Sequence, residues 1–121
     1  MINGFDNETK PLSEYELNTL TPQIVRGLSM KIGKDRAIKN SEICAKMRLA
    51  GYRIDNARLR KVINHIRVKA LLPGVIATSE GYYIATTKRE MAEYIASLES
   101  REGAIHQVSV ALRKQMELYD E

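Results

Sequence analysis

Residues 41–86 read SEICAKMRLAGYRIDNARLRKVINHIRVKALLPGVIATSEGYYIAT, and the order of signals within them decides the fold. Ser41 has a residue type favoured at a helix N-cap, and the run to about Leu49 turns Ile43, Cys44 and Met47 to one face. Ala50-Gly51-Tyr52-Arg53-Ile54 is a turn in which Gly51 suits a positive φ. Asp55 caps a longer helix to about Lys69, with Leu59, Val62, Ile63, Ile66 and Ala70 as its buried stripe. Leu71-Leu72-Pro73-Gly74 breaks that helix. Two short β-prone runs follow, Val75-Ile76-Ala77 and Tyr82-Tyr83-Ile84-Ala85, on either side of the turn Thr78-Ser79-Glu80-Gly81.

A short helix, a Gly-bearing turn and a longer capped helix outline a helix-turn-helix, and a hairpin directly after it is a wing. Upstream, residues 1–12 are polar and aperiodic and read as a flexible tail. Ser13-Glu14-Tyr15-Glu16 matches a capping box and opens a short helix near 13–19. Thr21-Pro22 starts a second helix to about residue 32, with Ile24, Val25, Leu28 and Ile32 at helical spacing and Gly33 placed to end it. Lys34 to Asn40 is a basic connector. Downstream, Thr86 or Thr87 caps a last helix along which Met91, Tyr94, Ile95, Leu98, Ile105, Val108, Leu112 and Met116 recur at intervals close to alternating three and four. Gly103 costs that helix about 1 kcal/mol relative to Ala, so residues 88–118 form either one helix or two. The expected fold is mainly α with a small β-hairpin, a winged helix-turn-helix with a long C-terminal helix. The domains would be the tail 1–12, a winged-helix domain 13–98 and a helical extension 99–121.

Ser41-Glu42-Ile43, Gly51-Tyr52, Arg58 to Asn64, Pro73 to Ala77 and Gly81-Tyr82-Tyr83-Ile84-Ala85 together resemble small winged-helix proteins encoded by bacteriophages and bacterial mobile elements. The resemblance covers roughly Ser41 to Leu98 and implies a DNA-binding protein, either a transcriptional regulator or a replication accessory.

Charge points the same way from the residues alone. Arg26 to Lys69 holds 13 Lys and Arg against Asp35, Glu42 and Asp55, a net +10, although the whole chain carries only +4. A positive middle between acidic flanks fits a polyanion, and its plain alternative is a solvated basic face. In the major groove, a recognition helix presents its N-terminal part to the bases. Asn56, Arg58, Arg60 and Lys61 are therefore the base or groove-edge candidates, since Arg pairs bidentately with guanine and Asn with adenine. Asn64 and Arg67, a turn later, suit phosphate, as do Lys46, Arg48 and Arg53 around the turn. Ser41 reads first as a cap and second as a backbone anion donor at a helix start. Thr78 and Ser79 could reach phosphate from the wing, whose tip carries Glu80, an argument against deep groove insertion. Tyr82 and Tyr83 point to opposite faces of their strand.

Other chemistries find little support. His65 and His106 have no Cys or His at metal-ligand spacing, Cys44 lies on an inward helix face, and no phosphate-cradling Gly-rich loop is present. Neither an enzyme nor a cofactor is expected. There is no long apolar run for a membrane span and no signal-peptide pattern at the N-terminus, and a lone cysteine suits a reducing compartment. The expected location is the cytoplasm of a bacterial host, the partner double-stranded DNA. The apolar stripe from Ile105 to Met116 suggests a homodimer through the C-terminal helix; the alternative is folding back on Ile24, Val25 and Leu28. Two rival functions remain, a winged-helix adaptor for proteins without DNA binding and a reader of double-stranded RNA.

Overall fold

The computed structural model describes residues 10–119. The chain is mainly helical, with a two-stranded antiparallel hairpin and a long C-terminal helix. In order, a π-helical turn (Glu16–Leu20) runs straight into α1 (Thr21–Leu28). A 3-10 turn (Lys34–Arg36), α2 (Asn40–Leu49), α3 (Asn56–Val68), β1 (Val75–Thr78), β2 (Gly81–Ile84) and α4 (Lys88–Gln115) follow. Two compact units divide between Thr86 and Thr87, so α4 belongs to the second from its first turn; the sequence reading carries the first domain on to residue 98.

The capping box forms as read. Glu16 N–H donates to Ser13 Oγ at 3.1 Å, and Ser13 N–H donates to Glu16 Oε1 at 2.8 Å. The break expected at Thr21-Pro22 does not occur. Pro22 has no N–H and its ring crowds the preceding turn, and the helix accommodates it by widening into the π turn. Thr21 closes that turn through its backbone N–H and its hydroxyl, both donated to Glu16 O. The helix then stops at Leu28, before the expected residue 32, because Ile32 is needed in extended form. Gly33 N–H donates to Ile84 O at 2.9 Å and Ile84 N–H to Lys31 O at 2.8 Å, tying this stretch to β2.

The connector before α2 is fastened to the same strand. Ile38 and Tyr82 exchange backbone hydrogen bonds of 3.0 and 2.8 Å. Gly81 makes this approach possible: a Cβ there would sit 2.5 Å from the Ile38 carbonyl, and its φ of +123° disfavours any side chain. β2 therefore lies between β1 and the chain leading into α2. In the hairpin, Val75 pairs with Ile84 and Ala77 with Tyr82 on one face, while Ile76 pairs with Tyr83 on the other.

Leu20, Ile24 and Leu28 of the first helical run meet Ile43 and Cys44 of α2, Leu59, Val62, Ile63 and Ile66 of α3, and Ile38 and Val75 in one core. The stripe read on α3 holds except at Ala70. α3 ends at Val68, and Ala70 is exposed at a φ of +55° in the turn that follows. Asp55 caps α3 by accepting from Arg58 N–H at 2.8 Å, and Thr87 caps α4 by accepting from Glu90 N–H at 3.1 Å. Ser41 is not the cap of α2: Glu42 reaches back to Lys39 N–H at 3.4 Å and sets the boundary there. Residues 10–12 are held and not loose, since Arg58 binds the Lys10 and Pro11 carbonyls and Leu12 packs on the core. The rest of the expected tail lies outside the described residues.

α4 is one helix through Gly103, followed by a 3-10 turn (Met116–Leu118). It has no buried residue, and every position from Ile95 to Tyr119 is exposed.

Candidate nucleic-acid interface

The inward stripe of α3 fixes what its other faces present. Asn56, Arg60 and Asn64 follow one another at four-residue spacing and are exposed; Lys61 and Arg67 are half-buried beside them. Asn40, a residue that the sequence reading does not single out, organises the ground around the start of this row. Its Nδ2 donates to Asn56 O at 3.0 Å and its Oδ1 accepts from the Tyr82 hydroxyl at 2.9 Å. One amide thus brings the first turns of α2 and α3 and the hairpin within a side chain's reach of each other. Asn40 is also where the basic connector ends. Lys39 and Ser41, to either side of it, are exposed.

Arg58 is a correction. It stands among the base-contact candidates by sequence, yet the structure draws it inward. Its Nε donates to Glu16 Oε2 at 2.7 Å and its NH2 group to Glu16 Oε1 at 2.6 Å. The NH1 and NH2 groups also donate to the carbonyls of Lys10 (2.9 Å) and Pro11 (3.0 Å). Both side chains of the pair are about a tenth exposed. Guanidinium hydrogen bonds hold the Glu16 carboxyl below its usual range, and the same bonds raise Arg58. Arg58 anchors the segment before α1 to α3 and is not available to a groove.

Residues around the turn are also committed. Arg48 Nε donates to Ile54 O at 2.9 Å and closes the turn between α2 and α3. Gly51 has the positive φ read for it, +95°. Arg53 is exposed and held from below, its N–H donating to the Tyr15 hydroxyl at 2.9 Å and its guanidinium lying 4.8 Å from the Tyr15 ring centroid. Lys46 lines an apolar cleft of about 360 Å³ between α1 and α2, together with Ile24, Met47 and Tyr52. In the hairpin turn, Thr78 is a second correction. Its hydroxyl accepts from Glu80 N–H at 3.1 Å and donates to Gly81 O at 3.3 Å, so it shapes the turn in place of reaching outward. Ser79 and Glu80 are exposed at the tip.

Burial pushes the Cys44 thiol up, which leaves it a core group with little thiolate. Among the described residues, no group of three or more His, Cys, Asp or Glu could hold a metal, and no helix is long and apolar enough to cross a membrane. Comparison with protein-family models, with curated proteins and with solved structures gave no match.

Proposed function

We propose that the first unit is a winged helix-turn-helix that binds duplex DNA, with α3 as the recognition helix and the β1–β2 hairpin as the wing. The observation that carries this reading is the outward row Asn56, Arg60 and Asn64, flanked by Lys61 and Arg67, within a segment of net +10. The Asn40 amide supports it by holding the start of that row beside the hairpin. Lys31, Lys34, Arg36 and Lys39 extend the basic surface along the connector as phosphate contacts. With the Thr78 hydroxyl bonded within the turn and Glu80 at the tip, the wing grazes the backbone, and sequence is read by α3. A transcriptional regulator or replication accessory of a phage or mobile element is the cellular role this chemistry fits.

A random-sequence duplex should shift in a mobility assay at about 50 mM salt and lose roughly 10³-fold in affinity by about 200 mM, the behaviour of a protein that neutralises about six phosphates. Arg60→Ala with Lys61→Ala should weaken the shift markedly and leave the melting temperature unchanged. Failure of the unmodified protein to shift any duplex at the lower salt would overturn the reading. The protein-adaptor reading, favoured by the exposed apolar face of α4, would then lead.

A further inference from the structure

α4 carries an apolar seam that its own helix cannot cover. Met91, Leu98, Ile105 and Leu112 recur at strict seven-residue intervals, the period of a left-handed helix pair, with Val108 beside them. Leu98 is 39% exposed, Ile105 69%, Val108 58% and Leu112 56%. Ile105, Val108, Leu112 and Met116 line one shallow groove along the helix. A seam of this period over a helix of about 42 Å suits a partner helix of similar length.

The charges say which partner, and in which direction. In the first part of α4, Glu90, Glu93, Glu99 and Glu102 outnumber Lys88, Arg89 and Arg101, whereas the later part, from Gly103 to Gln115, carries only Arg113 and Lys114 and is net positive. A parallel pair would lie with its two net-acidic halves side by side. It would also place Arg101, three residues past Leu98 in the seam, against its own image, an arrangement that like-charge repulsion disfavours. An antiparallel pair lays each acidic half along the other copy's basic half.

We propose that α4 pairs with α4 of a second copy of this chain, antiparallel, through Leu98, Ile105, Val108 and Leu112. The pairing stands apart from nucleic-acid binding and is tested without it. Sedimentation equilibrium of the full chain at tens of micromolar should give twice 13.7 kDa, and Ile105→Glu should return it to 13.7 kDa. A spin label on Ala92→Cys, in a Cys44→Ala background, reads direction: the antiparallel pair, centred near Ile105, sets the labels about 40 Å apart and a parallel pair about 10 Å. A monomer mass for the unmodified protein, a dimer that survives Ile105→Glu, or the short label distance would each overturn the proposal. The first covers both an α4 that folds back on its own chain and one kept for another protein.

Discussion

α3 and α4 are both amphipathic helices, and they spend their apolar faces differently. The thirteen residues of α3 bury Leu59, Val62, Ile63 and Ile66 inside the chain, while the 28 residues of α4 bury none. A helix whose apolar stripe is satisfied internally has a fixed orientation, and its remaining faces become a defined display; here that display is Asn56, Arg60, Lys61 and Asn64. A helix whose stripe is unspent gains its order from propensity and from whatever covers it. The first is built to present polar groups, the second apolar ones.

The largest effect that sharpens this contrast comes from the ion pair rooting α3. Arg58→Ala leaves the Glu16 carboxylate buried and unpaired, and should cost about 3–5 kcal/mol in chemical denaturation. Glu16→Leu combined with Arg58→Met should recover most of that loss, because two apolar groups remove the desolvation together with the pair. Next come matched truncations. Leu59→Ala, in a fully buried position, should cost about 2–5 kcal/mol, while Leu112→Ala on the exposed face should cost under about 0.5 kcal/mol at protein concentrations low enough to keep the chain monomeric. Equal costs at the two sites would erase the contrast.

Acidity gives a smaller effect with a definite direction. The Glu16 carboxyl lies below its ordinary 4.5 in the folded protein, so its stabilisation is complete above that pH and is lost as pH falls through the lowered value. A thermal-melting profile should therefore decline in acid, and decline less in the Glu16→Leu, Arg58→Met variant. The smallest expected change is in α4. The Cβ of Gly103→Ala would enter open space on a continuous helix, and should raise helix stability by up to about 1 kcal/mol, read by circular dichroism.

What the sequence makes legible follows the range of each interaction. Ser13 with Glu16, Asp55, Thr87 and Gly51 act on backbone within a few residues, and each is readable from its neighbours alone. The hairpin is local for the same reason. The start of α2 is misplaced by a local reading because Glu42 acts three residues back, on Lys39, where no capping side chain marks the boundary. Asn40 does not stand out because its partners, Asn56 and Tyr82, are distant in sequence. Arg58 reads as an outward residue because Glu16 lies 42 residues away. A signal is nevertheless present: Arg58 shares the four-residue spacing of Val62 and Ile66, which aligns it with the buried stripe rather than with the outward row. The early end of α1 depends on the pairing of Ile32 with Ile84, which no local pattern announces.

The central claim, that the outward row of α3 meets duplex DNA, is tested most directly by the salt dependence of binding, measured by fluorescence anisotropy for the unmodified protein and for Arg60→Ala with Lys61→Ala. The account predicts a steep linear fall of log affinity with log salt, with a slope of about −5 or steeper. In the double variant the slope should be shallower by roughly one unit for each phosphate that is no longer neutralised. A duplex affinity that does not change with salt, or the same affinity and slope in both proteins, would contradict it.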